Sequence, residues 1–343
     1  MKKVVVTGIT GFIGSHIGVE LLNRGYAVRG TMRDLTKASH IRSVIEKHAP
    51  TTHLELVEAD LLNLSDWKAV MQDVDYVQHV ASPFPRTIPK RDDDLVKPAV
   101  DGTLHVLQAA LRAGVTKTIV TSSIAAVLYG KKNMYRDSTY DEETWTDHEV
   151  IADTTAYIRS KTLAERVAWN FYENECYGKD KMQVSTVLPG AVLGPILEDD
   201  YGTSAEIILK MMNGSLPMIP RIGFEIVDVR DVADLHIKAM ESPHADGQRI
   251  LATAGYTTMA SMAQTLRQAF PDRKIPSRLL PNWLMRTLGL VDGSVRQATI
   301  EIGAERKANS AKARNLLDWQ PRSPKEAIIT CADSLINQGI VGE

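Results

Sequence analysis

The chain has 343 residues, 44% of them apolar and 24% charged, with 40 lysines and arginines against 42 aspartates and glutamates. That length suits one large domain, or two that share a cleft, and buries a full core without covalent staples. The charge balance excludes a basic field that would attract nucleic acid, and the composition excludes a disordered chain.

The opening MKKVVVTGITGFIG places two lysines before an apolar run, as a secretory leader would, but its glycines break the run. No uninterrupted apolar stretch approaches the roughly 18 residues that span a bilayer, so no membrane partner is expected. Cys176 and Cys331 stand far apart, match no metal or redox spacing and read as free thiols of a cytoplasmic protein. His, Asp and Glu are scattered, with no spacing that suggests a metal.

In chain order, β-branched runs at residues 4–6, 27–32, 54–57, 76–80 and 118–121 alternate with amphipathic stretches. Strand and helix in alternation predict an α/β fold of the Rossmann type, a doubly wound parallel sheet with helices on both faces. Helices are expected over 13–24 and over 95–113, the latter closed by Gly114. A further helix carries Ala164, Val167, Ala168 and Phe171 at the helical period, and a strand over 183–188 continues the sheet. From Pro189 the texture changes to clustered Gly, Pro and Met, where a smaller, mostly helical second domain is expected to begin. Residues 225–241 read as strand, turn and helix, with Asp231 as the helix start, returning to the first domain. The tail from Thr257 is helical by pattern, broken at Pro271, Pro276, Pro281 and Gly289. The expected domains are 1–188 with 222–252, and 189–221 with 253–343.

The first strand runs into Thr7-Gly8-Ile9-Thr10-Gly11-Phe12-Ile13-Gly14, a Gly-x-x-Gly-x-x-Gly loop that opens a helix. Gly8 permits the tight turn, Gly11 lets the backbone approach a pyrophosphate, and Gly14 allows close packing behind the helix, whose N-terminus presents N–H groups to an anion. The second strand ends Met32-Arg33-Asp34, without the lone acidic residue that accepts the ribose 2′-OH of NAD. Arg33, helped by Lys37, suits the 2′-phosphate of NADP(H); the other reading is a solvated loop in which Asp34 pairs with one of them. Asp60, after the third strand, offers an acceptor to adenine.

Strand 118–121 delivers Ser122 and Ser123 at the sheet edge where such folds bind ligands. Further on, Tyr157 and Lys161 share one helix face at i, i+4. A free phenol has a pKa near 10, and a neighbouring ammonium favours its ionised form. In carbonyl reduction Tyr157 would give a proton to the oxygen, Ser123 would hold that oxygen, and Lys161 would tune the phenol and touch the nicotinamide ribose.

These segments together resemble the extended short-chain dehydrogenase/reductase family across nearly the whole chain, in the branch of dihydroflavonol 4-reductase, cinnamoyl-CoA reductase and microbial aldehyde or carbonyl reductases. The resemblance rests on VTGITGFIGSH at 6–16, MRD at 32–34, ADL at 59–61, HVASP at 79–83, VDGT at 100–103, TSSIAAV at 121–127, YIRSKTLAE at 157–165, LPGAVLGP at 188–195 and VDVRDVADLH at 227–236. It implies catalytic Ser123, Tyr157 and Lys161. Cofactor contacts are implied for the glycine loop, Arg33, Lys37, Asp60, Leu61, Val80, Ala81, Ser82, Thr121, Ser122, Pro189, Gly190 and Val192.

Two departures narrow the substrate. The cinnamoyl-CoA reductases carry Asn-Trp-Tyr-Cys-Tyr-Gly-Lys where this chain reads Thr155-Ala156-Tyr157-Ile158-Arg159-Ser160-Lys161, which argues against thioesters. Dihydroflavonol reductases carry an asparagine where Leu128 stands, so a directed bond to flavonoid hydroxyls is missing. The expectation is a small-molecule carbonyl with a bulky, largely apolar, aryl or flavonoid-like body. Phe84, Leu128, Met211, Met212 and Ile219, with Pro85 and Ile88, are its candidate walls, and ordinary core is the other reading. His79 reads as structural, and Asp228, Arg230 and Asp231 as an ion-paired turn. The rival functions are a nucleotide-sugar epimerase or dehydratase that retains NAD, against which Arg33 stands, and a non-catalytic NADP sensor, which would lack the tyrosine or lysine. A monomer or homodimer is expected.

Overall fold

The computed structural model describes residues 1–83, 91–131, 137–176, 181–198 and 201–342. Its centre is a seven-stranded, wholly parallel sheet in the spatial order Leu54–Glu58, Ala27–Met32, Lys3–Thr7, Tyr76–His79, Lys117–Thr121, Gln183–Pro189, Arg249–Ala252. This is the Rossmann arrangement. The chain winds one way from Lys3–Thr7 and then returns to its other side at Tyr76–His79, so the sheet has its switch point between these two strands, with Thr7 level with His79. Ligands of open α/β sheets bind in the crevice beyond the carboxyl ends of strands at such a point.

Strand periodicity decides which residues build each face. Val4 and Val6 enter the cluster beneath helices Phe12–Asn23 and Val229–Glu241, with Ile17, Leu21, Val232 and Leu235, whereas Val5 faces the opposite cluster of Trp67, Met71, Val106, Leu107 and Phe171. With both faces covered, the strands read as apolar runs rather than as alternation.

Past Pro189 the chain leaves the large sheet. Ala191–Leu193, Gly223–Asp228 and Gly255–Thr258 form a three-stranded sheet, covered by helices Gly202–Met212, Met259–Ala269 and Pro324–Asn337 around a second core. Within 222–252, the strand Gly223–Asp228 pairs in this small sheet, and the helix Val229–Glu241 and strand Arg249–Ala252 rejoin the large one. The helix starts earlier than expected from sequence: Asp228, not Asp231, is its N-cap and accepts from the Arg230 N–H at 2.9 Å. Asp231 instead binds the backbone N–H and guanidinium of Arg322. Asp228 also holds the Arg230 guanidinium at 2.7 Å, so the three residues do form an ion-paired turn, tied to the last helix. Cys176 and Cys331 are buried free thiols. Among the described residues no helix is long and apolar enough to cross a membrane.

Candidate active site

The glycine loop is built by backbone clearances. Gly8 has φ +68, the left-handed region that glycine enters without strain, and a Cβ there would press on Ala81 at 3.0 Å. At Gly14 a Cβ would lie 2.2 Å from the Gly8 carbonyl oxygen, so this glycine lets the helix close onto the turn itself. Gly11 caps the helix Phe12–Asn23 without any side-chain hydrogen bond, and a Cβ there would meet only the Gly8 oxygen, at an ordinary 3.5 Å. Open space and an uncapped helix N-terminus coincide at Gly11, beside Thr10, Phe12 and Ile13, where an anionic group fits.

Thr7 locks this loop to the neighbouring strand end. Its hydroxyl accepts the N–H groups of Val80 at 3.0 Å and Ala81 at 2.9 Å. With both lone pairs used, its proton goes to His79 Nδ1 at 3.0 Å, which puts the imidazole proton on Nε2. His79 is buried, and burial together with the Lys161 charge pushes its pKa down to about 3. A permanently neutral histidine at this place is a structural strut, as its position in the sequence suggests.

Across the crevice, Ser123 lies close enough to Tyr157 to act on its phenol. Ser123 also accepts from the Ala125 N–H at 3.1 Å and so caps the short turn Ile124–Ala126. Tyr157 sits in the first turn of helix Ala156–Phe171, whose N-cap Thr155 accepts from the Ile158 N–H. Burial raises the Tyr157 pKa, and the nearby Ser123 hydroxyl opposes that rise. Lys161, one turn further, is pushed down to about 8 by burial. The Lys161 charge acts on His79, so the ammonium lies near that buried ring.

Ser122 faces the other way. Its hydroxyl donates to Glu165 Oε2 at 2.7 Å and its N–H to the Val187 carbonyl at 2.8 Å, so its side chain takes no part in the crevice, contrary to the expectation for it. Thr121 is hydrogen bonded to His236 Nε2, and His236 Nδ1 to Gln78, a buried polar chain behind the strand ends. Glu165 also binds Thr186 and Arg249, the latter at 2.8 Å, and Arg249 stacks on Trp145 at 3.6 Å. Glu165 was open to detection in sequence, standing one helical turn past Lys161. Gln78, His236 and Arg249 carried no local signal.

At the adenosine end Arg33 and Lys37 are exposed, and neither side chain forms a hydrogen bond or ion pair with a described residue; the Lys37 N–H donates to the Asp34 carbonyl at 3.3 Å. The Asp34 carboxylate pairs with neither side chain; it accepts from the Thr36 N–H at 3.0 Å and caps the turn Leu35–Lys37. Asp60 accepts from the Leu62 N–H at 2.8 Å, and Leu61 packs against Gly102, where a Cβ would come within 3.0 Å of it. Val80, Ala81 and Ser82 follow the fourth strand at the crevice, half-buried. Pro189 is buried, and Gly190 allows that segment to pass the strand Gly223–Asp228, since a Cβ would stand 2.4 Å from the Glu225 carbonyl oxygen. Val192 is half-buried beside it.

The expected substrate walls fare differently. Met211, Met212 and Ile219 are 0%, 4% and 1% exposed and belong to the second core, so they are packing residues and not pocket lining. Leu128 is buried among Ala126, Val127, Leu188 and Leu251, with Ile124 and Tyr129 packed against that group. Phe84, Pro85 and Ile88 lie outside the described residues.

Comparison with known proteins agrees with this geometry. The NAD dependent epimerase/dehydratase family model matches residues 4–252. Cinnamoyl-CoA reductase CAD2 of Medicago truncatula is 35% identical over 279 residues, 80% of this chain and 83% of that protein. The bifunctional dihydroflavonol 4-reductase/flavanone 4-reductase of Malus domestica is 30% identical over 283 residues, 81% of this chain and 79% of its own. The crystal structure of yeast methylglyoxal/isovaleraldehyde reductase Gre2 complexed with NADPH superposes with a TM-score of 0.81 at 29% identity, covering 98% of this chain and 99% of that one. The chain belongs to the NAD dependent epimerase/dehydratase family, as an extended short-chain dehydrogenase/reductase.

Proposed function

We propose that this chain is an NADP(H)-dependent oxidoreductase that reduces an aldehyde or ketone with a bulky, largely apolar body, with Tyr157 as proton donor. The observation that carries this reading is the approach of Ser123 to Tyr157 at the carboxyl edge of the sheet, with Lys161 one helical turn away. The loop at Gly8, Gly11 and Gly14 fits a pyrophosphate, and the exposed Arg33 and Lys37, whose side chains bind no described residue, fit a 2′-phosphate. The NADPH in the yeast reductase crystal supports the same cofactor here.

When bound, the nicotinamide supplies the hydride. Ser123 holds the substrate oxygen, and Tyr157 gives that oxygen its proton as negative charge develops there. Lys161 favours the phenolate left behind, because a charge opposite in sign lowers the cost of ionising a buried phenol. Ile124 and Tyr129, half-buried just beyond Ser123 in sequence, support an apolar substrate body, whereas Leu128, as buried as Met212, serves as packing behind them. Location in the cytoplasm is part of the same proposal, resting on the two buried free thiols.

The test is NADPH oxidation against aliphatic and aryl aldehydes, aryl ketones, dihydroflavonols and nucleotide sugars. A cinnamoyl thioester is included because of the 35% identity to a cinnamoyl-CoA reductase. Stoichiometric oxidation with an alcohol as product supports the reading; sugar conversion without net oxidation replaces it with an epimerase. Tyr157→Phe is expected to lose at least about 100-fold in turnover with NADPH affinity within a few-fold.

A further inference from the structure

A buried charged cluster outside the catalytic group joins the two loops that carry Ser123 and Tyr157. Its centre is Arg306, 3% exposed and far along the chain. One guanidinium nitrogen donates to Glu301 Oε2 at 2.6 Å and to the Ile300 carbonyl at 3.2 Å, and another pairs with Asp153. Asp153 lies in the turn just before the Tyr157 helix, and its second oxygen accepts the N–H groups of Gly130 at 2.9 Å and Lys131 at 3.4 Å. Those residues lie on the segment that follows Ser123. In the same loop Tyr129 donates to Glu301 Oε1 at 2.8 Å, and the Arg306 guanidinium lies over its ring at 4.7 Å. Next to Arg306, Lys307–Ala308 pairs with Thr139–Tyr140, holding this late segment against the first domain.

We infer that Arg306 is a positioning residue: through Asp153, Glu301 and Tyr129 it clamps the Ser123 loop to the start of the Tyr157 helix and so sets the approach of Ser123 to Tyr157. The inference rests on the reductase reading above. Two carboxylates share this guanidinium in a dry site, and removing it takes away the cation that joins Asp153 to Glu301, so the two loops lose their link although Asp153 keeps the Gly130 and Lys131 N–H groups. Tyr157 is near enough for its charge to act on the Tyr129 phenol. Thr146 pins the same loop from the other side, accepting from the Tyr129 N–H at 3.0 Å, so the loop moves in orientation without coming loose.

The experiment compares wild type with Arg306→Met, Arg306→Met/Glu301→Gln and Tyr129→Phe. The readouts are NADPH affinity by fluorescence, kcat on a carbonyl compound that wild type reduces, and the solvent deuterium isotope effect on kcat. NADPH affinity is expected to stay within two-fold. The kcat falls about 100-fold in Arg306→Met and about 10-fold in Tyr129→Phe, with a larger isotope effect than wild type because proton transfer becomes limiting. Glu301→Gln restores the net charge of the wild-type cluster and recovers at least about tenfold in kcat. Unchanged kcat in both single variants overturns the inference. So does a fall in kcat with an unchanged isotope effect, the signature of a smaller folded fraction. If Arg306→Met does not fold, Tyr129→Phe decides by the same criteria, since it changes one hydroxyl and no charge. If wild type reduces no carbonyl compound, the reductase reading fails by itself. The clamp is then read from the Tyr157 Cζ resonance in 13C-tyrosine-labelled protein, assigned with Tyr157→Phe, which must shift in Tyr129→Phe; no shift overturns it.

Discussion

Alanine at Gly14 or Gly11 separates steric cost from ligand cost in the phosphate loop. At Gly14 the new Cβ stands 2.2 Å from the Gly8 oxygen, 2.9 Å from the Gly8 carbonyl carbon and 3.2 Å from the Ile9 Cα, all backbone atoms. No rotamer relieves this, so the turn must open by roughly 1 Å against the Gly11 N–H to Gly8 carbonyl bond of 3.0 Å and the Gly8 N–H to Thr31 hydroxyl bond of 3.2 Å. Overpacking of that kind costs about 3 kcal/mol, the upper end of its ordinary range. For a chain of this size that lowers Tm by about 5 °C, and a loop displaced by 1 Å weakens NADPH binding by about 100-fold. At Gly11 the added methyl meets only the Gly8 oxygen at 3.5 Å, so Tm without ligand should move by less than about 1 °C. NADPH affinity should still fall by at least about tenfold, because the methyl occupies the approach to the helix N-terminus. Thermal unfolding with and without NADPH, together with fluorescence titration, reads both quantities. An unchanged Tm for Gly14→Ala refutes the backbone contact, and an unchanged affinity for Gly11→Ala refutes the placement of the pyrophosphate.

Arg33→Ala should erase most of the preference for NADPH over NADH, a change of about 10- to 100-fold in the ratio of kcat/KM values, since each charge-assisted contact contributes about 1.5–3 kcal/mol; an unchanged ratio sinks the 2′-phosphate site. Lys161, held at about 8 by burial, loses its charge as pH rises through that value, whereas the phenol of Tyr157, raised by its own burial, stays protonated there. The kcat/KM for reduction should therefore decline above about pH 8, and a profile level to pH 10 contradicts the role of the ammonium. Thr7→Val removes the acceptor of two N–H groups and the donor to His79, so unfolding in urea should show a loss of about 2 kcal/mol together with weaker NADPH binding. An unchanged midpoint denies the strut.

Pattern within single elements determined much of this protein. Alternating runs give the parallel sheet, glycine spacing gives the loop, and the i, i+4 step puts Tyr157 and Lys161 on one helix, because each depends only on residues a few positions apart. Register and packing decided the rest. Ser122 and Ser123 are neighbours of the same type, and only the fold turns one toward Glu165 and the other toward Tyr157. Met211, Met212 and Ile219 have the same apolar character whether they wall a pocket or fill a core, and the helices packed over the small sheet made them core. Asp231 read as the helix start, and the backbone turn chose Asp228. Arg306 had no neighbour in sequence to mark it. It gains meaning only where the chain returns to set its charge between Asp153 and Glu301, since a buried guanidinium is defined by the partners that tertiary contact supplies.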